Sequence, residues 1–337
     1  MIRVLVADDQ QASRTLLRSI FALEPGFEVV GEARDGAEAA RLVQELRPDL
    51  VTMDVEMPVL NGFEATLRIM TERPTPIVVV SGHDVHAVGF ALEAMKAGAL
   101  AVVPKPPAPT EASFDAQARH LLTMARAMSG VTLLPQVRPP APAARGPTPR
   151  RQQKARVIAI AASTGGPPAL SRILSELPAD FRAPILVVQH IAEGFAEGLA
   201  RWLAGSSRLR VKVAEHGEPL LPGTVHLAPD RRHLGVLGDA VELSDAPPVD
   251  GFKPSGTHLF ESVARSFGRA ALGLILTGMG KDGVHGLQAL RAAGGTVVAQ
   301  DRESSVIFGM NGEAVLAGLT DEVLPLDAMA YLLMQAV

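Results

Sequence analysis

Short apolar runs recur along this chain, and most give way to a stretch of helical periodicity. In the first 130 residues the runs are "IRVLVA", "FEVVGEA", "DLVTMD", "PIVVVSG" and "LAVVPKP". Between and after them stand "SRTLLRSIFAL", "GAEAARLVQEL", "GFEATLRIM", "AVGFALEAMKAG" and "ASFDAQARHLLTMARAM". Strands separated by helices cannot close two-residue hairpins, so they pair in parallel through helical crossovers. Near-continuous apolar runs are what a sheet covered on both faces requires. Five such units predict a doubly wound, five-stranded parallel α/β domain over residues 1–128. The second half repeats the alternation with "RVIAIAA", "PILVVQH", "VKVAEH", "TVHLAP", "ALGLILTG", "GTVVAQ" and "DEVLPL", and "RRHLGVLGDAVELS" reads as an inserted hairpin. A second α/β domain with a mostly parallel sheet is predicted over 156–337. Between them lies a linker, residues 129–155. Its centre, "PQVRPPAPAARGPTPRRQQK", holds six prolines, five basic residues and no acid, so it sustains neither helix nor central strand.

Composition removes several classes of function. The chain has no cysteine, which excludes disulfides, thiolate metal sites and a cysteine nucleophile. A net charge of -4 gives no general attraction to nucleic acid. The output half also lacks a recognition-helix pattern, against a DNA-binding regulator. No apolar run approaches the ~18 residues of a membrane span. The acidic start "MIRVLVADDQ" is no signal peptide, and a cytoplasmic location is expected.

Functional groups in open α/β sheets collect at the carboxyl ends of strands. In the first domain those ends carry Asp8 and Asp9, Asp54, Ser81 and Lys105. Three converging carboxylates repel one another, and a hard divalent cation such as Mg²⁺ relieves the repulsion. A lysine and a hydroxyl nearby suit a phosphoryl group. Asp54, central to the set, is the expected nucleophile for an aspartyl phosphate.

The second domain opens on "VIAIAASTGGPPAL", a buried strand ending in a hydroxyl pair and a glycine turn. The stretch has no P-loop lysine and no GxGxxG, and Ala162 breaks the GxSxG pattern. Strand, serine, tight turn and helix still make the setting of an exposed nucleophile. A base and an orienting acid should come from other strand ends. "PILVVQH" ends on His190, and "ALGLILTGMGKDG" leads to Asp282. Ser163, His190 and Asp282 therefore form a candidate nucleophile, base and orienter, with the Thr164 amide a candidate oxyanion donor.

Through "VADD", "TMDVEMPVLNG", "VVVSG" and "VVPKP", residues 1–128 resemble a response-regulator receiver domain. The resemblance implies phosphorylation of Asp54 by a histidine kinase, with Mg²⁺ held by Asp8, Asp9 and Asp54. It implies sensing of the phosphoryl group by Ser81 and Lys105, and it suggests a cis Lys105–Pro106 bond. Asn61 stands where aspartate is commoner. Through "ASTGGPPAL", "VVQHI", "LAPD", "TGMGKDG" and "AQDRESSVIFGMNGEAV", residues 156–337 resemble the CheB-type protein-glutamate methylesterases of chemotaxis. That resemblance implies a phosphorylation-activated hydrolase acting on glutamate methyl esters of chemoreceptor helices, with deamidation of receptor glutamines by the same route. It implies the Met279 amide as an oxyanion donor, no cofactor for the esterase, a monomer, and a receiver that covers the catalytic cleft until phosphorylated. A non-catalytic module of a divergent chemosensory pathway is the alternative. Phe252 and Lys253 replace a histidine–arginine pair, Ser305 stands where cysteine is frequent, and Asn311 and Gly312 replace a proline–arginine pair. These departures are expected to spare the Ser163, His190 and Asp282 set and to bear on substrate contacts. Phe252 and Lys253 would grip a receptor helix, or Phe252 would pack into the core of the hairpin region.

Overall fold

The computed structural model describes residues 1–82, 88–131, 154–191 and 193–337. The chain divides into two compact units, Met1–Val137 and Arg138–Val337. The linker reading for 135–154 falls, apart from Lys154, outside the described residues.

In the first unit, five parallel strands run in the order β2-β1-β3-β4-β5. They are β1 (Ile2–Ala7), β2 (Phe27–Ala33), β3 (Leu50–Met53), β4 (Ile77–Ser81) and β5 (Ala101–Pro104). The helices are α1 (Gln11–Leu23), α2 (Gly36–Leu46), α3 (Gly62–Glu72), α4 (Val88–Ala97) and α5 (Phe114–Ser129). β3 and β4 are buried throughout, as strands covered on both faces must be. The order reverses beside β1, which places the ends of β1 and β3 side by side. Asn61 caps α3: its Oδ1 accepts from Phe63 N and Glu64 N at 3.0 Å each, and Asn61 N in turn donates to Glu64 Oε2 at 3.3 Å. The substitution for aspartate thus falls on a helix cap that either residue can make. The cis bond suggested at Lys105–Pro106 is not present; among the described residues the cis peptide is Lys253–Pro254.

The second unit is built on seven strands in the order β14-β13-β12-β6-β7-β9-β8, every pair parallel. They are β6 (Val157–Ala162), β7 (Ile185–Gln189), β8 (Arg210–Val213), β9 (Thr224–Leu227), β12 (Ala271–Ile275), β13 (Thr296–Gln300) and β14 (Glu322–Leu324). The antiparallel pair β10 (His233–Leu237) and β11 (Ala240–Ser244) is the inserted hairpin. Around the sheet lie α6 (Gly166–Glu176), α7 (Ala196–Ser206), α8 (Gly256–Phe267), α9 (Val284–Ala292), α10 (Met310–Leu316) and α11 (Leu326–Ala336). The sheet winds one way from β6 through β7 and the other way from β12, so the switch point lies between β6 and β12.

α8 and α9 approach closely because Gly286 has no side chain. A Cβ there would overlap the Thr257 carbonyl and stand 2.8 Å from the Phe260 Cβ. Phe260, fully buried, fills the space between the two helices and the sheet. Truncating such a ring costs about 3–5 kcal/mol. The consequence is positional: the loop leading into α9, which carries Asp282, is drawn onto the first turn of α8.

Candidate active site

Three strand ends meet at the switch point. Ser163 follows β6, and its N–H donates to the Thr277 carbonyl at 3.0 Å. His190 follows β7, and its N–H donates to the Ala162 carbonyl at 2.9 Å. The parallel ladders thus continue one step past each strand and set Ser163 between the β7 and β12 ends. Behind Ser163 the chain turns at Gly165, whose φ is +79°. A side chain there would strike Val306, with a Cβ 2.5 Å from its Cβ. Gly278 is confined too, since a Cβ on it would stand 2.6 Å from the Ser163 Cβ. Only glycine serves at either position.

Asp282 has no exposed surface and accepts four hydrogen bonds. The donors are Ser255 Oγ at 2.7 Å, Gly256 N at 2.6 Å, Thr257 N at 3.2 Å and His190 Nε2 at 2.8 Å. Two of these are amides of the first turn of α8, where the helix dipole favours an anion. Burial alone would raise this carboxyl, but the bonds from His190, Ser255 and Gly256 outweigh it and hold it at about 2. An ionised carboxylate only accepts, so His190 Nε2 carries the proton facing it. In the neutral imidazole, Nδ1 is then the bare nitrogen. It is buried and has no hydrogen-bond partner among the described residues. No hydrogen bond joins it to Ser163 Oγ.

Several contributors were not legible in the sequence. Gln189, buried at the end of β7, donates through Nε2 to the Ser163 and His190 carbonyls at 2.8 Å each. It ties the two loops together. Thr277 Oγ1 donates to the Thr164 carbonyl at 2.9 Å and accepts from Ile307 N at 2.9 Å. Ser255, three residues after Phe252, is the α8 cap that holds Asp282. Its signal was present as a serine opening an amphipathic run; what it would grip was not.

The amides of Thr164 and Met279 donate to no acceptor among the described residues. The Met279 side chain is partly exposed.

The departures divide. Asn311 is fully buried and donates to the Gln300 carbonyl at 2.9 Å and to Ser305 Oγ at 2.7 Å. It and Ser305 therefore brace a loop from within rather than offering substrate contacts. The expectation that no departure touches the Ser163, His190 and Asp282 set is corrected at Phe252. Its ring stacks on His190, centroids 4.3 Å apart and planes 9° from parallel. It is neither a free aromatic on the rim nor packed into the hairpin. Lys253 is engaged within the unit as well, its Nζ donating to the Asp245 carbonyl at 2.8 Å at the surface.

In the first unit, Asp8, Asp9 and Asp54 each bring a carboxylate oxygen to within 4.8 Å of the others. Lys105 Nζ lies 2.7 Å from Asp8 Oδ2 and 3.0 Å from Asp54 Oδ2. Burial raises the Asp8 carboxyl despite Lys105. Burial would lower the Lys105 ammonium, but its bonds to Asp8 and Asp54 prevail and raise it. Three carboxylates against one ammonium leave room for further positive charge, so the donor set fits a hard divalent cation. Ser81 is buried at the end of β4, and its carbonyl accepts from Lys105 N at 2.8 Å. Arg14, itself buried, donates from one nitrogen to the Asp8 and Asp9 carbonyls at 2.8 and 3.0 Å and fixes the acidic loop from behind.

An acidic pocket on one doubly wound sheet and a serine–imidazole–carboxylate cluster at the switch point of another define a receiver joined to an α/β hydrolase-like unit. Comparison with known proteins agrees. Residues 158–333 match the family model for CheB methylesterase, and residues 4–113 that for the response regulator receiver domain. The chain is 54% identical over 333 residues to "Protein-glutamate methylesterase/protein-glutamine glutaminase 3" of Anaeromyxobacter dehalogenans, covering 98% of this chain and 97% of that one. It is 53% identical to a relative of the same description, numbered 4, from Myxococcus xanthus, covering 99% and 97%. The crystal structure of the Thermotoga maritima CheB methylesterase catalytic domain is similar at a TM-score of 0.53 and 38% identity, covering 54% of this chain and 99% of that one. The chain belongs to the CheB methylesterase family, with a receiver domain ahead of the methylesterase unit. Among the described residues, no helix is long and apolar enough to cross a membrane.

Proposed function

We propose that this chain is a phosphorylation-controlled protein-glutamate methylesterase acting on chemoreceptor helices, with Ser163 as nucleophile, His190 as base and acid, and Asp282 as orienter. One observation carries the reading. The nitrogen of His190 opposite Asp282 is bare, buried and without a partner among the described residues, in a loop that Gln189 ties to that of Ser163. A buried polar atom left unpaired calls for an explanation, and a base awaiting a serine proton supplies one.

In this mechanism Ser163 Oγ attacks the γ-carbonyl of the glutamate methyl ester while Nδ1 of His190 takes its proton. The new C–O bond places negative charge on the carbonyl oxygen, beside the Thr164 and Met279 amides. His190 returns the proton to the methoxy oxygen, the C–O bond to it breaks, and methanol leaves. Water, deprotonated by Nδ1, then attacks the acyl-serine, and glutamate and Ser163 are released. Asp282 keeps its charge throughout and stabilises the imidazolium. A glutamine amide follows the same route with ammonia as the leaving group.

Control is assigned to the acidic pocket. Asp54 Oδ2 accepts the phosphoryl group of a kinase phosphohistidine as the P–N bond breaks, and Lys105 pairs with the new charge. Mg²⁺, held by Asp8, Asp9 and Asp54, would neutralise phosphoryl oxygens during that transfer. Methanol release from a methylated receptor fragment tests the assignment. Ser163→Ala should fold as the wild type does and release none; near-wild-type release would overturn it.

A further inference from the structure

The segment from Val249 to Thr257 bears on two of the three groups at once. Its first part is a tight turn. Val249 N donates to the Phe252 carbonyl at 3.0 Å, and Phe252 N to the Val249 carbonyl at 2.9 Å. The two central residues, Asp250 and Gly251, have φ of +50° and +86°. Two successive left-handed residues with an Asp-Gly sequence make a type I′ turn. Asp250 Oδ2 also lies 3.6 Å from His285 Nδ1, which ties the turn to the start of α9. Phe252 is delivered from this rigid turn onto the face of His190. Three residues later Ser255, Gly256 and Thr257 deliver their donors to Asp282.

The ring has a further neighbour. A Cβ on Gly280 would stand 4.0 Å from Phe252 Cζ. Phe252 therefore reaches from the imidazole toward the backbone that follows Met279.

An imidazole fixed by a single hydrogen bond at Nε2 retains freedom to tilt about that bond. The other nitrogen has nothing among the described residues to hold it. A flat ring lying parallel at 4.3 Å removes that tilt. Phenyl has no donor or acceptor, so it does so without competing for Nδ1. We propose that Phe252 is a positioning residue: its stacked face holds the plane of His190 so that the bare nitrogen stays available to Ser163. The role rests on the assignment of Ser163, His190 and Asp282 above. It also differs from the expectation that this aromatic grips the substrate, because one face of the ring lies on His190.

The test compares Phe252→Tyr, Phe252→Leu and Phe252→Ala in the full-length protein, with Ser163→Ala as control. Methanol release from a methylated receptor fragment gives kcat and KM, and thermal unfolding is followed alongside. Phe252→Tyr should stay within about two-fold of wild type. Phe252→Leu keeps the apolar volume but loses the flat ring, and its kcat should fall about ten-fold or more while KM moves less than two-fold, since small misplacements of a reacting group cost rates of this order. Phe252→Ala should fall at least as far. A Leu variant as fast as the Tyr variant would overturn the proposal, as would a loss carried by KM, which marks a substrate contact. Unfolding of the Leu variant at assay temperature would also overturn it, by making Phe252 a core residue. If Ser163→Ala still releases methanol, the underlying assignment fails; if it is inactive while Phe252→Leu keeps full kcat, only the role of Phe252 fails.

Discussion

The acidic pocket of the first unit and the carboxylate cluster of the second solve opposite problems. At the first, three carboxylates share one ammonium, and burial pushes Asp8 upward. At the second, one carboxylate receives four donors and is held at about 2. Both sit at carboxyl ends of parallel strands. The difference teaches what each is for. A pocket short of positive charge is poised to take up a cation and change its state. A carboxylate with every lone pair engaged is built to keep one charge in one place.

The largest effect should come from unbalancing the second site. Asp282→Asn replaces an acceptor-only group with an amide that must turn an NH₂ toward donors on whichever side it lies. Methanol release should fall about 10³–10⁴-fold, the scale seen when an orienting carboxylate of this kind is neutralised. A loss below about ten-fold would mean Asp282 only caps α8.

Acid separates the two units next. His258 on α8 stacks on His233 at 4.6 Å and is lowered to about 4, by burial first and then by the charges of His233 and Arg265. A histidine kept neutral in the fold binds fewer protons than in the unfolded chain. Its cost therefore grows as pH falls from 6.5 to about 4 and then levels off. The second unit should lose on the order of 2–3 kcal/mol across that window. His258→Phe, which preserves the stack, should flatten the dependence in urea titrations at several pH values. An unchanged slope would assign the loss elsewhere. Asp282, depressed from 3.8, adds its own loss only below about pH 4, as pH falls toward 2.

These sites were not equally readable. Alternating apolar runs and helices specify parallel sheets, and the parallel sheet in turn places Asp8, Asp54, Lys105, Ser163 and His190 at its carboxyl edge. That much follows from pattern. What holds the side chains did not: Asp282 takes three of its four donors from residues 25 to 27 positions away and the fourth, His190, from 92, and Gln189 reaches back 26. A serine at a helix start or an amide at a strand end looks the same in sequence whether it meets water or a buried carboxylate. Phe252 misled for the same reason, since nothing local says which ring an aromatic will face.

On the first site, Lys105→Ala should sharpen the contrast. With the ammonium gone, the carboxylates are left unneutralised, so Mg²⁺ should bind about ten-fold more tightly by calorimetry. Weaker binding would show that Lys105 shapes the pocket rather than offsetting its charge. The smallest effect lies in the adjoining loop. Val59, 85% exposed, has a φ of +67° between the hydrogen-bonded Pro58 carbonyl and Leu60 amide. A β-branched residue is strained there. Val59→Gly should raise the melting transition of the first unit by the equivalent of ~0.5–1 kcal/mol and leave that of the second unmoved. A destabilised variant would show that the loop is unstrained.

The central claim is that the charge-accepting pocket governs the charge-holding one. It is tested most directly by methanol release from a methylated receptor fragment, with Mg²⁺ and with or without a small-molecule phosphodonor, in the wild type and in Asp54→Asn. The expected result is a rise on adding the phosphodonor in the wild type and none in Asp54→Asn. Equal rates with and without the donor in the wild type, or an equal rise in the variant, would contradict it.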